Sequence, residues 1–193
     1  MQARVKQDAR WNNIVAFSGR EFTKRSDEFL TCDKEYEATI HLGIDTDTYD
    51  LEGQVTSRSD LVPTRADIAL AIQAFQGQIA QIPPMFAAKK VQGKKLYDLA
   101  RKGITIERQP VLVELQIELL RYEYPEVDIR VSCSKGTYIR SLAYDIGRHL
   151  KTGAHLSRLT RLRSGTFHLS DAIPQALLED LSFDPFPYLR NLP

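Results

Sequence analysis

The sequence predicts an α+β fold in which helices flank a mixed, mainly antiparallel sheet. Two long stretches of alternating apolar and polar residues, 111–124 and 127–134, lie on either side of Pro125, and this arrangement predicts a β-hairpin. Shorter strand-like and helix-like segments occur elsewhere without the regular alternation of parallel βαβ units. A chain of 193 residues is long enough for one hydrophobic core with a small appendage.

The first part of the chain is predicted to form a helix, a strand and a turn. The first sixteen or so residues show no clean periodicity, and the first helix is predicted over 22–29. Alternating apolar residues predict a strand over 36–43. A segment rich in Asp, Thr and Gly then predicts a turn that enters a short strand at 54–56.

The clearest helix signal begins at Pro63. Thr64 is a good N-cap residue, and Asp67 occupies the capping-box position, where Asp is a weaker partner than Glu or Gln. The helix is predicted to end at Gly77. Its predicted apolar face comprises Ile68, Leu70, Ala71, Ile72 and Phe75.

The second part of the chain begins with a Pro-Pro break. A short strand over 88–91, a Gln-Gly turn and a helix over 95–102 that ends at Gly103 are predicted next. The long hairpin follows, and the segment CSKGTYIRSLAYDIG begins a helix that is predicted to reach about residue 150. Leucines spaced three residues apart then predict helix before a final strand at 165–169; they are Leu156, Leu159 and Leu162.

The composition is that of an ordinary globular protein, with 42% hydrophobic and 26% charged residues. The net charge of +1 does not by itself indicate a nucleic-acid partner. Cys32 and Cys133 lie far apart without metal-ligand spacing, which favours a reduced compartment and argues against a zinc site. Because neither a run of membrane-spanning length nor a signal-peptide pattern is evident, a cytoplasmic location is expected.

Charge is distributed unevenly along the chain, with acids dominating residues 33–60 and cations dominating two later stretches. The first basic stretch comprises Lys89, Lys90, Lys94, Lys95, Arg101 and Lys102. The second basic stretch comprises Arg130, Lys135, Arg140, Arg148, Lys151, Arg158, Arg161 and Arg163, with Asp145 as its one acid. If both stretches fold onto one face, that face suits a phosphate backbone; ordinary solvated surface is the alternative.

The segment CSKGTYIRSLAYDIG places polar residues at the start of an otherwise apolar helix. A helix N-terminus offers unpaired N–H donors, and Arg140 in the first turn strengthens its attraction for anions. A well-capped helix without a site is the simpler interpretation of this segment alone.

Five segments together resemble the TruB-type tRNA pseudouridine synthase family over about residues 22–181. They occur in family order and at similar spacing: KEYEATIHLG, DTDTYDLEGQV, IPPMFAAKKVQGKKLYDLARKG, CSKGTYIRSLAYDIG and GAHLSRLTRLRSGTF. The resemblance implies the family's catalytic fold. It also implies isomerisation of a flipped T-loop uridine of tRNA to pseudouridine, without a cofactor or a metal.

The resemblance implies roles for four pocket residues. Tyr36 matches the tyrosine on which the base stacks, and Tyr138 matches an active-site tyrosine beside Arg140. Arg140 matches the arginine that the family pairs with its catalytic aspartate, and Leu159 matches an apolar residue against the base. Without the resemblance, a half-buried strand tyrosine is the favoured explanation of Tyr36, and a core leucine is an equally simple explanation of Leu159.

The expected partner is the T-arm stem-loop of tRNA, bound by a monomer. The lysines of the first basic stretch fall where the family approaches the RNA stem, and the second stretch adds further candidates. The candidate RNA-binding residues are Lys89, Lys90, Lys94, Lys95, Lys135, Arg158 and Arg161.

The family's nucleophile motif, Gly-Thr-Leu-Asp-Pro, does not occur in this sequence. No catalytic aspartate is therefore assigned, and proximity in sequence does not justify choosing Asp8, Asp27, Asp33 or Asp47. Arg140 is accordingly expected to be either exposed to solvent or paired with another group. The chain is expected to divide into an atypical segment 1–19, a catalytic domain 20–182 and a tail 183–193 without an added RNA-binding domain.

Two alternatives to an active synthase remain open. One is a noncatalytic module that binds tRNA or another RNA through the same basic residues. The other is an α+β protein or an unstable fragment without a partner, because fold and function are separable.

Overall fold

The computed structural model describes residue 24, residues 32–91, 93–173 and 177, and residues 182–184. Of the helix predicted over 22–29, only Lys24 is described, and it is helical. The rest of that helix and the predicted segment 1–19 lie outside the described residues, as does most of the predicted tail.

Ten strands and three α-helices are found among the described residues. In chain order they are β1 (Lys34–Leu42), β2 (Ile44–Thr46), β3 (Val55–Arg58), α1 (Arg65–Ala74), β4 (Gly77–Gln81), β5 (Lys90–Val91), β6 (Lys94–Lys95), α2 (Leu96–Ala100), β7 (Val111–Glu123), β8 (Glu126–Cys133), α3 (Ile139–His149), β9 (Ala154–Ser164) and β10 (Phe167–His168). A short 3-10 helix, Leu169–Asp171, follows β10.

The main sheet contains six strands in the order β10-β9-β1-β8-β7-β4, and each neighbouring pair is antiparallel. The predicted α+β class with a mainly antiparallel sheet is therefore confirmed. Strands β7 and β8 form the predicted hairpin, with Leu115 opposite Cys133 and Ile117 opposite Val131. Strands β2 and β3 form a separate hairpin, and so do β5 and β6.

The core lies between the sheet and helices α1 and α3, which cover one face, the inner face. From Val111 to Leu120 of β7 the inward and exposed residues alternate, because successive side chains of a strand point to opposite faces. The inner-face residues of β7 are Val113, Leu115 and Ile117, and the exposed residues between them are Glu114, Gln116 and Glu118. The opposite face of the sheet, the outer face, is charged.

Helix α1 begins with the predicted capping box. The Thr64 side chain accepts a hydrogen bond from the Asp67 amide, and the Asp67 carboxylate accepts one from the Thr64 amide. Leu70 is 63% exposed, so its predicted place on the apolar face is wrong. Two residues advance a helix by about 200°, and Leu70 therefore points away from the core that Ile68 enters.

The predicted helix through Leu156 and Leu159 is wrong, because this segment is strand β9. Leu156 and Leu159 are three residues apart, yet both point to the same face of the sheet, because β9 contains bulges opposite β1. Leu156 pairs with Ile40 and Leu159 pairs with Ala38, so the stretch between the leucines carries one residue more than its partner strand. One extra residue restores the side-chain direction that a three-residue spacing would otherwise reverse.

Two further differences concern the elements before β7. Strand β4 has no alternating apolar pattern and is not predicted from the sequence; among the described strands it pairs with β7 alone, at the edge of the sheet. The predicted strand and helix that follow are shorter than expected, at Lys90–Val91 and Leu96–Ala100. Within the part of the chain that the structure describes, no helix is long and apolar enough to span a bilayer.

Candidate active site

An ion pair between Asp50 and Arg140 joins the β2–β3 connection to the start of α3. Arg140 Nη1 lies 2.8 Å from Asp50 Oδ2, and Asp50 is only 6% exposed. The other carboxylate oxygen, Oδ1, accepts hydrogen bonds from Thr48 Oγ1 at 2.6 Å and from the Glu52 amide at 3.0 Å. The Asp50 carboxylate is therefore fully engaged within the protein.

Arg140 is held from a second side by the chain that leads out of β4. Its Nη2 donates to the Phe86 carbonyl oxygen at 2.7 Å, while Nη1 also approaches the Thr48 carbonyl oxygen at 3.4 Å. A planar guanidinium with two anchored edges has little freedom to rotate. Of the two outcomes expected for Arg140, the structure shows pairing with another group, namely Asp50.

Tyr138 lies at the N-cap position of α3, beside Arg140. Its backbone N–H donates to the side-chain oxygen of Gln81 at 2.8 Å, and its carbonyl accepts from the Gln81 side-chain nitrogen at 3.1 Å. Burial raises the pKa of the Tyr138 phenol, and the nearby Arg140 charge opposes that shift. The phenol is therefore a neutral, half-buried group near the guanidinium.

Leu159 and Tyr36 lie on the neighbouring strands β9 and β1. Leu159 and Asp50 line the same small depression, and Leu159 pairs with Ala38, two residues from Tyr36. Tyr36 pairs with Arg161 across the strands. Burial raises the pKa of the Tyr36 phenol, and a hydrogen bond from Arg161 opposes that shift. The structure thus brings Asp50, Arg140 and Leu159 together and places Tyr36 one strand away.

The first basic stretch lies in the long connection between β4 and β7, residues 82–110, here called the basic excursion. Lys89 and Lys95 are exposed. Lys95 Nζ donates to the Tyr97 hydroxyl at 3.0 Å and lies 5.3 Å from the ring centroid, and the Arg101 guanidinium lies 5.4 Å from the same centroid. Two cations therefore share one aromatic ring. The backbones of Lys90 and Lys94 belong to the short β5–β6 hairpin, which places them beside Lys95 and Val91.

The second basic stretch does not form one basic face with the first. Arg130 lies on the outer face, where its Nη2 is 2.8 Å from Glu37 and its Nε and Nη1 are 3.8 Å and 3.7 Å from Glu35 and Glu118. Arg163 approaches Glu35 on the same face at 3.6 Å. Cross-strand pairing explains this arrangement, because residues directly opposite in an antiparallel sheet point to the same face.

The three RNA-binding candidates of the second stretch therefore lie in different surroundings. Lys135 is exposed in the turn before α3. Arg158 is exposed opposite Thr39, whose hydroxyl donates to Asp128, and the Arg158 charge helps to lower the Asp128 pKa. Arg161 belongs to the Tyr36 side of β9. Arg161 is therefore paired with Tyr36, and Arg158 lines the same small depression as Leu159.

Sequence reasoning missed Asp50 and Gln81. Asp50 ends the motif DTDTYD, whose acids were interpreted only as turn residues, and its partner is 90 residues away. Gln81 precedes the Pro-Pro break and is 2% exposed. A polar side chain at a strand end before two prolines was the available signal, but nothing in the sequence indicates Tyr138 as its partner. Across the described part of the chain, no group of three or more His, Cys, Asp or Glu side chains could hold a metal.

Two family models match nearly the whole described region. Residues 14–139 match the TruB family pseudouridylate synthase N-terminal domain, and residues 140–186 match the tRNA pseudouridylate synthase B C-terminal domain.

Curated relatives extend this similarity. The tRNA pseudouridine synthase B of Protochlamydia amoebophila (strain UWE25) is 57% identical over 178 residues, which cover 92% of this chain and 68% of the relative. The enzyme of the same name from Chlamydia pneumoniae is 51% identical over 178 residues, covering 92% of this chain and 76% of the relative.

Solved structures resemble the fold at lower identity. The crystal structure of a Cbf5-Nop10-Gar1 complex contains a chain with a TM-score of 0.57 and 29% identity, covering 79% of this chain and 37% of that one. An H/ACA RNP bound to a substrate RNA containing 2'-deoxyuridine gives a TM-score of 0.54 and 28% identity, covering 82% of this chain and 37% of the other. This chain therefore spans little more than a third of those solved chains.

Proposed function

Because the chain belongs to the TruB family of pseudouridylate synthases, we propose that its pocket receives a T-loop uridine of tRNA for isomerisation to pseudouridine. The observation that carries this proposal is the anchored Arg140, whose ion-pair partner Asp50 lines the same small depression as Leu159. The expected setting is the cytoplasm, and the expected active form is a monomer. Elution of the free chain from a size-exclusion column at the volume of a dimer would contradict the expected monomeric state.

The pocket residues supply binding and orientation. A uracil that leaves its stack needs an aromatic surface, and stacking on Tyr36 contributes roughly 1–3 kcal/mol. Leu159 excludes water beside the base, while the Tyr138 phenol, whose pKa is raised by burial, offers a neutral hydrogen-bonding group. Arg140, always charged, orients a carboxylate or a phosphate.

Glycosidic bond cleavage in this proposal needs a carboxylate nucleophile, and Asp50 does not fit that role. Its Oδ1 accepts two hydrogen bonds from its own connection, and burial leaves little access for a sugar carbon. A nucleophile so engaged is weak, because each donated hydrogen bond stabilises the carboxylate in its ground state. We therefore assign Asp50 to the positioning of Arg140.

The test is incubation of this chain with an unmodified tRNA transcript, followed by chemical mapping of pseudouridine. The expected result is binding of the T-arm without turnover until a Gly-Thr-Leu-Asp-Pro segment is supplied. Turnover by this chain alone would show that it already contains a nucleophile and that the missing motif is not required. If the T-arm stem-loop binds no better than an unrelated hairpin at low salt, the proposed substrate is wrong.

A noncatalytic RNA-binding module is the second candidate, favoured by the Lys95–Tyr97–Arg101 cluster, which needs no nucleophile. This candidate predicts affinity that falls with salt and survives Tyr36→Ala. The synthase proposal predicts that Tyr36→Ala weakens retention of the flipped uridine. Filter binding with T-arm RNA, with and without the target uridine, separates the two.

A further inference from the structure

The basic excursion is fastened to the start of α3 by a short series of hydrogen bonds. These bonds involve Gln81, at the last position of β4, and the residues that follow it. The excursion carries the predicted RNA-binding lysines, and α3 carries Tyr138 and Arg140. These hydrogen bonds therefore lie between the predicted RNA-binding lysines and the predicted uridine pocket.

Gln81 makes the innermost connection. Its side-chain amide pairs with both backbone groups of Tyr138: Nε2 donates to the carbonyl at 3.1 Å, and Oε1 accepts from the N–H at 2.8 Å. With Gln81 only 2% exposed, water cannot replace these bonds at low cost. The paired amide defines the distance between the end of β4 and the first turn of α3.

Three neighbouring bonds extend the connection into the excursion. Ser141, also 2% exposed, donates its hydroxyl to the Ile82 carbonyl at 3.0 Å. Arg140 donates to the Phe86 carbonyl at 2.7 Å, and Arg108 donates to the Pro83 carbonyl at 2.9 Å, which ties the two ends of the excursion together. Each of these donors contacts the backbone of the excursion, so its position depends on the chain path from Gln81.

The short helix α2 continues the connection to the lysines. The Tyr97 amide donates to the Ala87 carbonyl at 3.1 Å, and the Leu96 amide donates to the Lys89 carbonyl at 2.9 Å. Leu96, the first residue of α2, is fully buried, so its side chain anchors this short helix in the protein. Lys95, directly before α2, is thereby related to Arg140 through a continuous path of hydrogen bonds and backbone.

We propose that Gln81 is a positioning residue that holds the basic excursion and the Tyr138–Arg140 pocket in one fixed relation, so that bound RNA presents its uridine to the pocket. This inference rests on the proposed function. RNA bound at the excursion places its uridine correctly only if the distance between the excursion and the pocket is constant. A misplacement of the reacting base by about 1 Å is enough to reduce a reaction about a hundredfold. Loss of the Gln81 amide leaves the lysines in place and lets Tyr138 and Arg140 move relative to them.

The test compares Gln81 with Gln78, the exposed glutamine of the same strand. Gln81→Met keeps the side-chain length and removes both hydrogen bonds without adding a charge. Gln81→Glu keeps the acceptor and replaces the donor by an oxygen that faces the Tyr138 carbonyl. Gln78→Met and Gln78→Glu are the matched controls.

Two measurements are made on each folded variant. Filter binding gives the affinity for a T-arm stem-loop, and the ¹⁹F resonance of 5-fluorouridine at the target position reports whether the base enters the pocket. We expect the Gln81 variants to lose less than about threefold in affinity. The ¹⁹F chemical shift of RNA bound to the Gln81 variants should move toward that of free RNA. RNA bound to the Gln78 controls should show the same chemical shift as RNA bound to the unsubstituted chain. Affinity and ¹⁹F signal that decline together, in proportion to lost stability, would show a merely structural role.

Hydrogen exchange of the free chain provides a measurement that does not depend on RNA. Gln81→Met is expected to accelerate exchange of the Leu142 amide in α3 and of the Tyr97 amide in the excursion together. Acceleration confined to β4, or equal acceleration in Gln78→Met, would overturn the inference. If the unsubstituted chain fails to bind T-arm RNA, the proposed function fails, and the exchange result still decides whether Gln81 couples the two regions.

Discussion

The two basic stretches are similarly rich in cations, yet they lie in different electrostatic surroundings. In the basic excursion, Lys95 and Arg101 flank the ring of Tyr97. On the outer face, Arg130 lies within 4 Å of three glutamates from two neighbouring strands. The excursion lies outside the main sheet, whereas strand pairing brings acids from distant parts of the sequence beside Arg130. A local density of cations therefore predicts a basic surface only where no neighbouring strand neutralises it.

Arg140→Met is expected to have the largest effect, because the partner of Arg140, Asp50, is a buried carboxylate. The substitution leaves the Asp50 carboxylate uncompensated and should lower the free energy of unfolding by about 3 kcal/mol. Urea denaturation measures this change. Arg148→Met, at an exposed position of the same helix, is the control. A loss equal to that of the control would show that the Asp50 pair is not stabilising.

Charge reversal in the two stretches compares their contributions to RNA binding. Lys95→Glu is expected to weaken T-arm affinity about fivefold or more and to reduce the slope of log K against log salt by roughly 0.7–0.9, since one phosphate contact is lost. Arg158→Glu should cost less, because Asp128 already offsets that charge. Salt titrations of both variants make the comparison. Equal losses would show that the outer face also contacts RNA.

Asp145, the one acid of the second basic stretch, has a raised pKa rather than a lowered one. Burial raises the pKa of Asp145 to about 6. Between about pH 4 and pH 6 the folded chain binds more protons than the unfolded chain, so stability falls as pH rises through this window.

Asp145→Asn removes that dependence. Because the group is partly exposed, screening reduces the effect, and we expect a gain of about 1 kcal/mol at pH 7 with none below about pH 4. Thermal melts across this pH range measure the difference. A substitution that destabilises the chain at pH 7 would show that the ionised carboxylate makes a favourable contact.

Arg130→Met is expected to have the smallest effect on stability. Its ion pairs lie on the solvated outer face, where screening and side-chain entropy offset most of the Coulomb attraction. The melting temperature should remain close to that of the unsubstituted chain. Ile129→Ala, the adjacent and fully buried position, serves as the positive control and should cost about 2–5 kcal/mol. A loss at Arg130 comparable to that control would mean that the glutamate network stabilises the sheet.

The elements whose signals are local could be predicted from the sequence alone. Alternation in β7 and β8 predicted the central hairpin, and Thr64 with Asp67 predicted the start of α1, because side-chain direction and capping depend on residues only a few positions apart. The family resemblance, carried by five motifs, identified Tyr36, Tyr138, Arg140 and Leu159 as candidates. Those motifs are also local, so they could be recognised without the fold.

Contacts between residues far apart in the sequence became evident from the folded structure. Strand β9 was mistaken for a helix because its bulges depend on pairing with β1, and Asp50 and Gln81 were missed because their partners are 90 and 57 residues away. The division of the second basic stretch between two faces has the same origin. Register and long-range pairing follow from the packing of the whole chain, and a pattern within a few residues cannot contain that information.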